Sequence, residues 1–336
     1  MADRAESKNG TVPTVRVEDL PVPEGTDESS RHVRRAWRDR LNDAATRKML
    51  VGVVATLVGG SFWGFSGTSA SFLFSNYHVD TLWLMSVRQM LAGLLFMTVV
   101  LTRDRARLVK LWTTPADRKQ LLLFTVFGLL FNQFCYLSAV RLTNAGTATV
   151  LQCLQLIIIM GYTCVVAHRA PRTREVIGIA LALGGTFLIA TGGDPTSLSI
   201  SPLGLLAGLM CAVSATCMAV IPAKILPEYG SPIVTGSAML TAGVASSIIV
   251  QPWRAMPALA GPGLEALAVF VVVGSFLAYM LYMQGVKDIG SVRASLIGTV
   301  EPVSATITSA VMLGTVFLPT DIIGFAMIIV MMFLTV

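Results

Sequence analysis

Charge is what this sequence has least of. Only 13% of its 336 residues are Asp, Glu, Lys or Arg, while 54% are hydrophobic; an ordinary soluble domain carries about 25% charged residues. With a mean hydropathy of +0.70, a chain of this length cannot enclose so much apolar surface in a water-soluble core. Lipid must cover much of it. Histidine is nearly absent too: His32 lies in the N-terminal region, and His78 and His168 sit at opposite ends of apolar stretches. No metal-ligand cluster is visible, and no metal is expected. The five cysteines (Cys135, Cys153, Cys164, Cys211, Cys217) all fall inside apolar stretches, where a thiol acts as a small hydrophobe. An odd, buried set gives no disulfide framework. There is no phosphate-binding loop and no pair of acids, so neither an ATP-driven pump nor an enzyme is expected, and no cofactor. The net charge of +6 could suggest nucleic acid, but the basic residues form short clusters between apolar runs, a topogenic pattern.

What is present falls into a tail and ten apolar runs. Residues 1–48 are polar and basic and are expected to form a disordered cytoplasmic tail. Within it, Val33, Trp37 and Leu41 recur at every fourth position among arginines, a pattern for either a short interfacial helix or a plain positive anchor. No cleavable signal peptide is expected. From Met49 onward ten segments are each long enough to cross a bilayer as a helix: 49–71, 82–101, 120–140, 145–167, 176–192, 203–221, 233–251, 264–286, 291–313 and 321–336. Continuous apolarity marks helices rather than barrel strands, and Gly192-Gly193-Asp194-Pro195, Gly230-Ser231-Pro232 and Gly261-Pro262-Gly263 punctuate them. If the N-terminus is cytoplasmic, nineteen Lys and Arg fall on the inner side, and only Arg141 and Arg254 on the outer side. Both termini are therefore expected in the cytoplasm of a multi-pass plasma-membrane protein. The tenth segment is short and lacks a polar tail, as for a truncated chain or a helix of little tilt.

An ungapped offset of 146 residues relates segments 3–5 to segments 8–10. It pairs Gly128 with Gly274, Tyr136 with Tyr282, Val140 with Val286, Arg141 with Lys287, Ala148 with Ala294, Gly178 with Gly324, and Phe187-Leu188 with Phe333-Leu334. The tyrosines, glycines and basic pair are landmarks that shared apolarity does not explain. Five spans separate equivalent segments, so the two repeats, 49–192 and 203–336, must be inverted relative to each other. That design suits a carrier with substrate near the midplane.

At these residues the chain resembles the drug/metabolite transporter superfamily, in particular the EamA-type ten-helix permeases. The matching features are Trp63-Gly64, Arg88 in SVRQMLAG, the passage YLSAVRLTNAGTATVLQ, Gly324, and above all SVRASLIGTVEPVSATITSAVMLG with Glu301-Pro302 at its centre. The resemblance implies an all-α membrane protein of two inverted five-helix repeats around a central cavity, moving metabolites by proton-coupled, exchange or facilitated transport. Two departures stand out. Leu156 occupies the place equivalent to Pro302, so a helix break is expected in the second half only. Gly314-Thr315 and Arg169 replace the Gly-Glu that the family often shows.

The candidate site residues follow from polarity inside the spans. Asn132, Gln133 and Tyr136 in segment 3, Gln152 and Gln155 in segment 4, and Tyr279 and Tyr282 in segment 8 either line a cavity or join helices. Trp63 is a candidate cavity wall. Pro302 removes a backbone donor inside a helix, at a cost of about 3 kcal/mol unless compensated. Beside it, Glu301 should avoid lipid and is a candidate proton carrier; the competing reading makes it an internal hydrogen-bond acceptor. Arg88 is expected to snorkel to the outer interface, or, if it points inward, to attract carboxylate or phosphate. Gly60, Gly64, Gly204 and Gly208 are spaced for close helix packing. The expected partners are a small-molecule substrate, the lipid bilayer, protons as a candidate coupling ion and, as an open alternative, a second copy in a homodimer; nucleic acid is not among them. The favoured reading is a secondary exporter of small metabolites such as amino acids or toxic compounds. The alternatives are a membrane-embedded enzyme and a helical scaffold or receptor.

Overall fold

A computed structural model of the chain describes residues 44–166, 168, 170, 172–194, 196, 198–289, 291–298 and 300–335. The interfacial pattern of Val33, Trp37 and Leu41, and Arg169, lie outside the described residues. Residues Val51–Val336 form one compact unit.

Ten helical spans follow in order, and no strand occurs among the described residues. They are α1 (Ala44–Tyr77), α2 (Thr81–Arg103), α3 (Pro115–Leu142), α4 (Ala145–Gln152 continued by Gln155–Val166), α5 (Thr173–Thr191), α6 (Pro202–Val220), α7 (Ser231–Val250), α8 (Gly261–Ile289), α9 (Ser291–Gly298 and Val300–Leu313) and α10 (Pro319–Thr335). The first eight are long and apolar enough to cross a membrane, and α9 and α10 carry shorter apolar helices. Polar caps set the boundaries. The Asp80 carboxylate accepts from the Leu82 and Trp83 amides at 2.9 and 3.0 Å, and the Asn144 side chain accepts from the Thr147 amide at 2.8 Å. Each satisfies donors that a helix start leaves unpaired. Gly192, at φ +63°, ends α5 in the left-handed conformation, which glycine adopts without a Cβ penalty.

Repeat-equivalent helices pack against each other, α2 on α7 and α5 on α10. The glycine contacts give their sense. A Cβ at Gly93 would lie 2.5 Å from the Leu240 backbone, and one at Gly243 would lie 2.5 Å from the Met90 backbone. These are one contact seen twice, since 243 − 93 and 240 − 90 both equal 150, and residue numbers rise along one helix as they fall along the other. On α5 and α10, Gly184 faces Met327 while Gly193 faces Thr320, again antiparallel. The inverted repeat is thus visible as a pseudo-two-fold axis between paired helices. Gly60 and Gly64 seat α1 on α9, and Gly208 seats α6 on α4, the close-packing role expected of them. Outward-facing apolar side chains such as Ile249, Val311 and Val316 remain exposed, a surface that suits lipid and not water.

Two local features were not expected. Phe124–Leu130 in α3 and Val269–Leu277 in α8 are π-helical, and the 146-residue offset carries the first onto the second. A helix break occurs in the first half. In α4 it falls at Cys153-Leu154, between helices ending at Gln152 and resuming at Gln155. In α9, Thr299, beside Glu301-Pro302, lies outside the described residues. The break in α4 corrects the expectation that the first half carries none. Its stated cause, a proline, is absent from α4; there, Cys153 Sγ donates to Thr149 O at 3.2 Å and three-residue turns replace the α-helical bonds, so packing against neighbours compensates the lost ladder.

On the side carrying most of the basic residues, Lys110 donates to Glu228 at 2.6 Å and Tyr229 donates to Asp117 at 2.7 Å. The bond to Glu228 holds the Lys110 ammonium above its usual pKa. These two contacts tie the α2–α3 connection to the α6–α7 connection, though an exposed ion pair adds little stability.

Candidate functional site

A cavity of about 490 Å³ lies between the repeats, within the range that accommodates small-molecule ligands. All eleven candidate site residues line it: Trp63, Asn132, Gln133, Tyr136, Gln152, Gln155, Tyr279 and Tyr282, together with Arg88, Glu301 and Pro302. The fold brings them from α1, α2, α3, α4, α8 and α9 to one place. α6 adds Ala215, Met218 and Ala219, and α10 adds Met332.

One wall is aromatic. The Trp63 and Tyr282 rings lie 5.0 Å apart and the Trp63 and Tyr279 rings 6.2 Å apart. Tyr279 is held from behind, with its hydroxyl 2.7 Å from both Ser231 Oγ and Thr235 Oγ1 on α7. Gly298 explains the fit of Tyr282, because a Cβ there would stand 3.3 Å from the tyrosine ring. The polar groups divide into engaged and unengaged sets. Asn132 Nδ2 donates to Ser214 Oγ at 3.2 Å, joining α3 to α6, so the helix-joining reading applies to it as well as the lining one. The side chains of Gln152, Gln155 and Glu301 make no hydrogen bond to the described residues and face the cavity.

Arg88 does not snorkel. Only 7% of it is exposed, and all three guanidine nitrogens donate inward: Nε to Ser275 Oγ at 2.7 Å, one Nη to Gln133 Oε1 at 3.1 Å, and the other to Gly274 O at 3.4 Å. The Phe270 ring centroid lies 4.2 Å from the guanidinium carbon, a cation–π contact. Phe270, Gly274 and Ser275 all belong to the π-helical turns of α8. The altered register of a π turn helps make a main-chain oxygen available to the arginine. The snorkelling expectation failed because the acceptors that capture Arg88 sit 186 and 187 residues away in sequence. Ser275 and the π turn are the parts of the site that sequence reasoning missed; the repeated glycines Gly128 and Gly274 were the signal that marked the place. Among the described residues no ion pair joins Arg88 to Glu301.

The two ends of the cavity differ. Met218, Ala219, Met283 and Met332 line it toward the ends of α6 and α8 that carry Lys224 and Lys287. At the other end the helices are closed. Phe74, Trp83, Leu137, Val140 and Ala145 form one buried cluster there. Over it, Trp83 Nε1 donates to Pro252 O at 3.0 Å and Arg141 Nη1 donates to Thr81 Oγ1 at 3.3 Å.

Comparison with known proteins agrees with this architecture. The profile of the EamA-like transporter family matches residues 50–191 and, a second time, residues 202–336. The chain is 31% identical over 289 residues to an uncharacterized inner membrane transporter, YicL, of Salmonella typhimurium, covering 85% of this chain and 94% of the relative. It is 22% identical over 288 residues to an uncharacterized transporter of Clostridium kluyveri, covering 84% and 92%. A solved crystal structure of a protein shares the fold, with a TM-score of 0.57 at 19% identity over 86% of this chain and 95% of that one.

Proposed function

The chain belongs to the EamA-like transporter family and is a multi-pass transporter of the cell membrane; from that premise we propose that it is a secondary exporter of small amphipathic metabolites, such as amino acids or toxic compounds, working by alternating access. The observation that carries this reading is the cavity itself: a polar and aromatic hollow between two inverted bundles, reaching one side and closed at the other. Inverted halves of similar sequence can open to either side at similar energy, which a scaffold or an enzyme does not require. The repeats are 49–192 and 203–336, and the basic asymmetry supports both termini being cytoplasmic; in that orientation the cavity reaches the cytoplasm and would load from within.

In this reading Trp63, Tyr279 and Tyr282 take the apolar body of the substrate, while the amides of Gln152 and Gln155 bind its polar groups. Glu301, facing the hollow, carries the coupling proton, and Arg88 is fixed in the wall as a structural cation. The experiment is flux of a mixed metabolite pool into and out of liposomes containing the purified protein. Substrate-dependent flux is expected, driven by a proton gradient. Glu301→Gln should abolish proton-driven flux and leave exchange intact; an unchanged pH dependence in that variant would falsify the coupling role.

A further inference from the structure

Tyr136 and Tyr282 occupy the same place in the two repeats, 146 residues apart, yet the structure uses them differently. Tyr136 is buried, and its hydroxyl lies 3.3 Å from Thr149 Oγ1. Around that hydroxyl the helices are tight: a Cβ at Gly67 of α1 would stand 2.5 Å from it and 3.2 Å from Ala145 Cβ of α4. Tyr136 therefore plugs the cavity where α1, α3 and α4 meet, at the closed end. Tyr282 is half-buried. It lies back on Trp63 at 5.0 Å and lines the cavity at the end that is not closed. The position 146 residues beyond Thr149 is Ser295, a hydroxyl residue again, on α9 as Thr149 is on α4.

We propose that Tyr136 and Tyr282 are paired gate residues that exchange roles during transport. Tyr136 holds its end shut in the conformation seen here. In the mirror conformation Tyr282 plugs the other end, bonded to Ser295, while Tyr136 leaves Thr149 and lies open in the cavity. The reason is symmetry: in an inverted repeat the packing that closes one side in one half is available to the other half on the opposite side. An aromatic ring with a hydroxyl at its tip fills the gap between three helices and reaches one acceptor. Both are positioning residues for transport, and the proposal rests on the alternating-access reading above.

Amide hydrogen exchange on the full-length purified protein tests it, read at the Tyr136 end (residues 79–83 and 137–148) and at the Tyr282 end (214–224 and 282–289). Tyr136→Phe removes the bond of the conformation seen here. Exchange should rise at the Tyr136 end and fall at the Tyr282 end, a shift of about fivefold in the ratio of the two states for one neutral hydrogen bond. Tyr282→Phe removes the bond of the mirror conformation and should shift exchange the opposite way. Thr149→Val and Ser295→Ala remove the same bonds from the partner side and should reproduce the two opposite shifts, which covers a tyrosine variant that fails to fold. Shifts of the same sign, a shift in one variant only, no shift in either, or faster exchange at both ends together each overturn the pairing. Liposome flux is scored separately: opposite exchange shifts without flux would leave the gate standing and remove the exporter reading.

Discussion

Gly93 and Gly243 allow the two halves of the protein to touch backbone to backbone, and replacing them measures that contact. A Cβ at Gly93 would sit 2.5 Å from both Cα and N of Leu240. Ordinary contact begins near 3.4 Å, so α2 and α7 must separate by about 0.9 Å. No side chain can rotate away to relieve the clash, because the opposing atoms are main chain. Overpacking of this kind costs typically 1–3 kcal/mol, and Gly93→Ala should destabilise by that amount. Gly243→Ala meets Met90 at the same 2.5 Å and should cost the same. The pair gives a sharper test. Because one separation of the helices relieves both clashes, Gly93→Ala/Gly243→Ala should cost little more than either single change. The coupling energy should therefore be about 1–2 kcal/mol, in the range seen for contacting sites. Equilibrium unfolding of the purified protein in mixed detergent micelles gives the three values. Full additivity would mean that the glycines act on separate contacts, and neutral single variants would mean that α2 and α7 are not in backbone contact; either result refutes the two-fold interface described above.

Two further expectations concern single sites. Arg88→Lys replaces three donating nitrogens by one and cannot serve Ser275, Gln133 and Gly274 together; losing about two charge-assisted bonds should cost roughly 3–6 kcal/mol in the same unfolding assay, and a neutral result would mean that the three contacts do not hold the arginine. Asn144→Ala removes the cap on the first turn of α4 and should lower stability by about 1 kcal/mol, whereas Asn144→Asp should retain most of it.

The fold was largely legible in the sequence because its determinants are linear. Apolar run length, the distribution of Lys and Arg, and the 146-residue offset are properties of the order of residues, and a bilayer admits few solutions to them. The cavity set was legible for a related reason: Gln152, Gln155, Glu301 and the tyrosines are costly against lipid, so polarity within an apolar span points toward the interior. Asn132 shows the limit of that logic, since its bond to Ser214 makes it join helices as well as face the hollow.

Other properties existed only once the helices were packed. Whether Arg88 reached the interface or turned inward depended on acceptors from α3 and α8, and its two nearest chain neighbours say nothing of them. The break in α4 arose without the proline that sequence reasoning required, since surrounding helices can satisfy what a lost turn leaves open. Tyr136 and Tyr282, identical in type and equivalent in position, received different surroundings: the first is buried against Gly67 and Thr149, the second half-buried against Trp63. The order of residues determines which positions are equivalent; which of two equivalent residues is buried depends on the helices packed around each, and only the assembled structure decides it.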